Sequence, residues 1–314
     1  MRTKRLVIFG IIIIAVVAGI SLFMPKAKSG TAQKPIVSVS TYTLYEVAHA
    51  VAGETLDVRP IIPPGSDAHM FSPNPAQVAA ITQSALFIYN GAGFETWAES
   101  LKETLPKTTE VVDMSTHVTL LKHEHGHGGD NMGGEHDHGA YDPHYWLDID
   151  NMIAMTHTIE SEFSRLFPKN AQTYRSAAQG YIGRLEKLKS DYAAGLKECK
   201  SRTLVSNHDA FEYLAHANGL KSVSVIGLSS DEQPSAKVIA QVIASVKEHA
   251  IKTIFFEEFI NDNVAQTIAR ESGARAESLQ PLENISEDEL KSHQTYESIM
   301  RDNLAKLTEA MECR

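Results

Sequence analysis

Fourteen histidines stand in a chain of 314 residues, and six of them fall between His117 and His138. Imidazole is the common nitrogen ligand for zinc and related metals, and it titrates near neutrality. Such crowding points to metal chemistry. Three histidines outside the dense stretch share a different context. His69 lies in Gly65-Ser66-Asp67-Ala68-His69-Met70-Phe71, His144 in Asp142-Pro143-His144-Tyr145-Trp146-Leu147-Asp148, and His208 in Ser206-Asn207-His208-Asp209-Ala210-Phe211. Each has an aspartate within two residues, Asp67, Asp142 or Asp209, that could accept from the imidazole and fix its tautomer. Three neutral imidazoles suit zinc and leave one position open. Spacing alone leaves open the ordinary structural roles of single histidines.

The segments that would carry these residues read as two strand–helix series. Residues 35–40, 56–62, 85–90 and 109–113 have strand character, with helices expected over 42–52, 75–84 and 94–104 between them. Pro75 suits the first turn of its helix. A helix is expected from about Ile149 to Leu166. From Pro168 to about Lys197, Tyr174, Ala178, Tyr181, Leu185, Leu188, Tyr192 and Leu196 recur at spacings of three and four, which predicts one long helix. Strands at 203–206, 220–226, 253–256 and 274–279 then alternate with helices at 209–217, 235–249 and 262–272, and a closing helix covers 295–312. This alternation is the signature of parallel α/β sheets. The expected architecture is therefore two similar lobes, 35–166 and 200–314, joined by a rigid helix over 168–198. Loops that follow parallel strands gather at one sheet edge, where ligands bind. Two facing lobes would bring His69, His144 and His208 to one cleft.

Residues 116–141 interrupt the pattern. Glycine and histidine dominate, apolar residues nearly vanish after Lys122, and the stretch is long for a loop in a compact domain. His123, His125, His127, His136 and His138 alternate with other residues beside Glu124, Asp130, Glu135 and Asp137, so small sets of imidazoles could capture a metal without a preformed cage. His49, His157, His216, His249 and His293 fall in helical or surface contexts with no expected metal role.

With 43% hydrophobic and 22% charged residues the composition is that of a globular protein. A formal charge of −10 argues against broad nucleic-acid binding. Arg2, Lys4 and Arg5 precede an uncharged apolar run from Leu6 to Phe23, which reads as a signal peptide or, at its length limit, a membrane anchor. Without residues 1–30 the chain keeps 24 basic against 39 acidic residues, a net charge of −15. Export would place the two cysteines, Cys199 and Cys313, in an oxidising space, where one disulfide is favoured over two free thiols.

The G-x-[DE]-x-H-x-[FY]-x-P stretch at 65–73, the D-P-H-x-W-L-D stretch at 142–148, the S-N-H-D-A-F stretch at 206–211 and the T-I-F-F-E-E-F stretch at 253–259, followed by S-L-Q-P-L at 278–282, together resemble the zinc/manganese solute-binding proteins of ABC importers, in the zinc-specific, histidine-rich-loop form. The resemblance runs from about Pro35 to the C-terminus. It implies a monomeric, non-enzymatic periplasmic carrier that binds Zn2+ between its lobes through His69, His144 and His208 and delivers it to an ABC permease in the cytoplasmic membrane. An acidic residue often completes such sites from a position matching Gln280 here, so that departure leaves the fourth place to water, to Gln280 itself or to Glu257. Three imidazoles with no carboxylate would favour zinc over manganese. The alternatives are a manganese-binding carrier and a zinc hydrolase with a three-histidine–water centre, for which Glu257 or Asp209 would serve as base; no HExxH motif in a helical context supports the hydrolase, since the one H-E-x-x-H spelling, at 123–127, lies in the glycine- and histidine-rich stretch.

Overall fold

The computed structural model describes residues 34–122, 141–228, 234–257 and 263–314. The apolar N-terminal run and His123, His125, His127, His136 and His138 lie outside the described residues. Among the described residues no helix is long and apolar enough to cross a membrane.

The first half is built on β1 (Ile36–Val39), α1 (Tyr42–Ala52), β2 (Asp57–Pro60), α2 (Pro75–Thr82), β3 (Leu86–Tyr89), α3 (Thr96–Lys102) and β4 (Glu110–Asp113). Its four strands are parallel in the order β2-β1-β3-β4. Every residue of β3 is buried, as a central strand covered on both faces requires. Pro75 opens α2 behind a reciprocal cap in which Asn74 accepts from the backbone of Ala76 and Gln77.

After β4 the chain passes through a 3-10 turn at Tyr145–Leu147 into α4 (Ile149–Leu166), and a second at Pro168–Asn170 opens the long helix α5 (Ala171–Gly195). The buried positions of α5 are Tyr174, Ala178, Tyr181, Leu185, Leu188 and Tyr192, the stripe that the spacing predicts. Its 25 residues extend about 37 Å at ~1.5 Å each. The stripe packs on α1 and α4 and on the closing helix α10 (Tyr296–Ala310).

The second half repeats the plan: β5 (Thr203–Ser206), α6 (Glu212–Ala217), β6 (Lys221–Ser224), α7 (Ala236–Glu248), β7 (Thr253–Phe256), α8 (Asn263–Ser272) and β8 (Arg275–Ser278). Its parallel order, β6-β5-β7-β8, matches the first sheet position for position. The fold is thus two parallel-sheet α/β lobes with a long helix linking them. Two details differ from the sequence reading. The helix after β5 begins at Glu212 rather than Asp209, because residues 209–211 still belong to the loop that presents His208. A short helix, α9 (Glu287–Lys291), is added, opened by a Ser286/Glu289 capping box that the sequence reading did not use.

Past β8 the chain returns to the first half. Trp146 Nε1 donates to Pro281 O at 2.8 Å, Gly65 N donates to Ile285 O at 2.8 Å, and Tyr42 Oη donates to Gln294 O at 2.9 Å. Tyr296 N donates to Glu46 at 3.1 Å. One continuous apolar core accordingly runs from β1 and β3 through α4 and α5 to Leu279, Leu282 and α10.

Cys199, beyond the end of α5, is paired with Cys313 at the tail, 114 residues away in sequence. Lys200 N and Arg314 N bond across the same junction to Met311 O and Glu198 O. Closing a loop of that size restricts the unfolded chain, so Cys313→Ser should lower the unfolding free energy by about 2–4 kcal/mol. A denaturant midpoint equal to that of the wild type would show that packing alone holds the tail.

Candidate metal centre

The ligand-bearing loops all leave the C-terminal edges of the strands. His69 follows β2, His144 follows β4, His208 follows β5, and a residue absent from the sequence reading, Glu283, follows β8. One donor atom from each of these four side chains lies within 4.8 Å of the others. Glu283 Oε1 is 3.2 Å from His69 Nε2 and 3.0 Å from His144 Nε2, and those two nitrogens are 3.4 Å apart. A tetrahedron with ~2.0–2.1 Å metal–ligand bonds has edges of about 3.3 Å, so this triangle already has the dimensions of one face. His208 stands slightly back, its Nδ1 3.9 Å from Glu283 Oε1.

The structure adds Glu283 to the two sequence candidates for the fourth position. Gln280 is buried, and its polar groups are taken up by partners in its own half. Its Oε1 accepts from Leu282 N at 3.1 Å, its Nε2 donates to Glu289 at 3.3 Å, and its backbone N–H donates to Asn303 Oδ1 at 3.1 Å. These bonds shape the turn that aims Glu283 inward. Glu257 stands beside the cluster, accepting at 2.6 Å from His208 Nδ1, the nitrogen that lies 3.9 Å from Glu283 Oε1. A carboxylate oxygen, that of Glu283, thus stands with the three imidazoles. The available signal was a glutamate three residues beyond Gln280 in the same post-strand loop.

Each imidazole is held by outer partners. Asp142 Oδ1 accepts from both His144 Nδ1, at 2.7 Å, and His144 N, at 2.9 Å, which turns Nε2 toward the centre. Asp67 acts on the backbone, its Oδ1 accepting from His69 N at 2.9 Å. His208 spends Nδ1 on Glu257 and Nε2 on Leu228 O, at 2.9 Å. Asp209 donates its backbone N–H to Gly227 O at 3.2 Å. Aromatic rings close the walls: Phe94 meets His69 edge-on with centroids 4.7 Å apart, and Trp146 meets His144 at 5.5 Å.

Burial works against charge on His144, His208 and Glu283, and the neighbouring charges overcome it. His144 loses hydration, yet Asp142 and Glu283 lift its pKa to about 10; His208 is likewise buried, and Glu257 and Glu283 lift it to about 9. Burial pushes the Glu283 carboxyl up, but His69 and His144 pull it well below the ordinary range. In the absence of a cation, His144 and His208 would hold protons and donate to Asp142, Glu283 and Glu257. A divalent cation would replace those protons.

The chain compares closely with known proteins. A family model described as zinc-uptake complex component A, periplasmic, matches residues 37–310. The chain belongs to this zinc-uptake component family. Within the family, the zinc-binding lipoprotein AdcA of Streptococcus pneumoniae is 35% identical over 277 residues, covering 86% of this chain and 54% of its own length. The high-affinity zinc uptake system protein ZnuA of Bacillus subtilis is 32% identical, covering 88% of this chain and 87% of its own. The crystal structure of the Zn(II)-bound ZnuA-like domain of S. pneumoniae AdcA superposes with a TM-score of 0.74 at 32% identity, covering 89% of this chain and 99% of that domain. The chain spans about half the length of the AdcA relatives it matches, corresponding to their zinc-uptake-component portion.

The proton cluster makes a pH signature. Unfolded imidazoles titrate near ~6.5, whereas His208 and His144 hold protons to about 9 and about 10 in the fold. Their contribution to stability is complete below about pH 6.5 and is lost as pH rises through 9 and 10. Chelator-treated protein should show a falling denaturant midpoint over that window. A flat midpoint would mean the imidazoles are neutral in the metal-free fold.

Proposed function

We propose that this protein captures Zn2+ outside the cytoplasmic membrane and hands it to an ABC permease for import. The observation that carries the reading is the convergence of four protein donors, three imidazole nitrogens and one carboxylate oxygen, at a buried point between two α/β lobes. His69, His144, His208 and Glu283 are the proposed ligands. Three nitrogens with one oxygen suit zinc, whereas manganese is better served by oxygen donors. Four protein ligands also complete a tetrahedral shell. A hydrolytic zinc keeps one position for water, so the donor set favours a carrier over an enzyme. The zinc-binding and zinc-uptake names of the relatives support the same assignment.

Export is supported by the apolar N-terminal run behind Arg2, Lys4 and Arg5 and by the cysteine pair. His123, His125, His127, His136 and His138 form, in this reading, an auxiliary collecting segment. Its described stem is well placed to serve the centre: Lys122 and Tyr141 pair as an antiparallel bridge, and the stem continues directly into Asp142 and His144. A net charge of −15 after removal of residues 1–30 draws cations toward the protein at low salt. In this reading the histidine-rich segment captures the ion and passes it to the four-donor centre.

Competition titration against a chelator should give one tight zinc at the centre and weaker zinc on the histidine-rich segment. Alanine at His69, His144, His208 or Glu283 should weaken the tight site by more than about 100-fold, exceeding what loss of an outer partner costs. Deletion of residues 123–140 should remove only the weaker class. A deletion strain should grow poorly under zinc chelation and recover with the wild-type gene but not with the His69/His144/His208 triple-alanine gene. Undiminished tight binding by that triple variant would overturn the assignment.

A further inference from the structure

Lys122 and Tyr141 pair as an antiparallel bridge, which sets Leu121 opposite Asp142. Asp142 N donates to Leu121 O at 3.1 Å, so these two form the hydrogen-bonded kind of opposed pair. Such a pair ordinarily exchanges two backbone bonds. Here the second bond is relayed by a side chain of the other half. Leu121 N donates to Tyr213 Oη at 2.8 Å, and Tyr213 Oη donates to Asp142 O at 2.8 Å. A phenol hydroxyl has one proton to give and lone pairs to receive. Both uses are met in this one, and it completes the rung. The tyrosine that carries it is 1% exposed.

Both ends of the relay lead to the centre. On one side, Asp142 Oδ1 accepts from His144 Nδ1 at 2.7 Å and from His144 N at 2.9 Å, so the place of Asp142 sets the direction of the His144 ring. On the other, Tyr213 stands in α6, which follows the His208 loop and packs on the 3-10 turn at Tyr145–Leu147. Each side is braced within its own half. Ser206 Oγ donates to His208 O at 2.7 Å. Asn151 Oδ1 accepts from Thr119 N at 2.9 Å, and Asn151 Nδ2 donates to Thr119 O at 3.0 Å and Tyr145 O at 3.1 Å. The Tyr213 hydroxyl is thus a joint between the His144 side and the His208 side, whose ring centroids lie 5.2 Å apart.

We propose that Tyr213 is a positioning residue of the metal centre: its hydroxyl, standing in the rung between Leu121 and Asp142, holds the Asp142–His144 pair in register with the loop that presents His208. This deepens the zinc-carrier reading and rests on it. Tyr213 acts on the metal through Asp142. Without the hydroxyl, the Leu121 amide and the Asp142 carbonyl must close on each other or give up a bond inside the protein. Either outcome shifts Asp142 and loosens the aim of His144.

The test measures the affinity of the tight zinc site by chelator competition on full-length wild type, Tyr213→Phe, Asp142→Ala and the double variant. Loss of an outer partner of a ligating histidine costs about 10–100-fold in metal affinity. Tyr213 acts one bond further out, so Tyr213→Phe should weaken zinc by about tenfold, the lower end of that range. In the Asp142→Ala background the same change should cost less than about twofold, because the group it positions is gone. Undiminished affinity in Tyr213→Phe, or an equal loss in both backgrounds, would overturn the proposal and leave the hydroxyl a stabilising bond of the fold. Amide exchange on the wild type decides the matter even if the variants fail to fold. The Leu121 amide should be protected in the metal-free protein, and reciprocal linkage requires zinc to slow its exchange by about the same tenfold. Fast exchange there, or a rate that zinc leaves unchanged, would overturn the proposal. Absence of tight zinc binding by the wild type would instead sink the carrier reading itself, with the rung still reported by Leu121 in the metal-free protein.

Discussion

A carboxylate buried among three imidazoles governs this molecule. Glu283 could not sit where it does alone, because an isolated buried carboxylate is costly and would take up a proton. His69 and His144, 3.2 and 3.0 Å away, keep it ionised, and it in turn keeps His144 protonated. The cluster is balanced as long as something positive occupies it, whether protons on the ring nitrogens or a divalent cation in their place. The rest of the fold delivers these groups to one point. Two sheets with the same strand order direct their C-terminal edges at a shared crevice, and the loops leaving β2, β4, β5 and β8 meet there.

Rigidity is distributed unevenly around that point. The long helix α5 packs its tyrosine and leucine stripe on α1, α4 and α10. Tyr192 Oη donates to Met300 O at 2.7 Å, and Arg301 reaches Asp191 at 2.6 Å, so α10 is bound to α5 along its length. The return of the chain past β8 then fastens the Glu283 loop to Trp146 and Gly65. His208 is the exception: its two ring nitrogens are satisfied by groups of its own half. The segment that follows His208 is nonetheless tied to the first half, because Tyr213 Oη donates to Asp142 O at 2.8 Å and accepts from Leu121 N at 2.8 Å.

Much of this was legible in the residues themselves. Alternating strand and helix segments specified both parallel sheets, and the spacing from Tyr174 to Tyr192 specified the linking helix, because a buried stripe of period 3.6 leaves few other solutions. The local sequences around His69, His144 and His208 brought those three together on paper. What the sequence concealed was the fourth donor. Gln280 occupied the expected place, while the carboxylate that enters the cluster stands three residues on. The turn from Gln280 to Glu283 depends on side-chain bonds to Asn303 and Glu289 that linear spacing cannot express. Glu257 is ambiguous for a related reason: a glutamate at a strand end looks the same whether it will meet a metal or a histidine. Folding of the 279–296 segment onto the first half was equally hidden, since its partners Trp146, Gly65, Tyr42 and Glu46 are distant in sequence.

The central claim is a closed centre of three imidazoles and one carboxylate. X-ray absorption spectroscopy of the zinc-loaded protein tests it most directly. The account predicts four-coordinate zinc with nitrogen and oxygen neighbours at about 2.0–2.1 Å, an imidazole scattering pattern for three ligands, and loss of one oxygen neighbour or its replacement by water in Glu283→Ala. A five- or six-coordinate zinc with solvent in its shell, or a spectrum unchanged by Glu283→Ala, would contradict it.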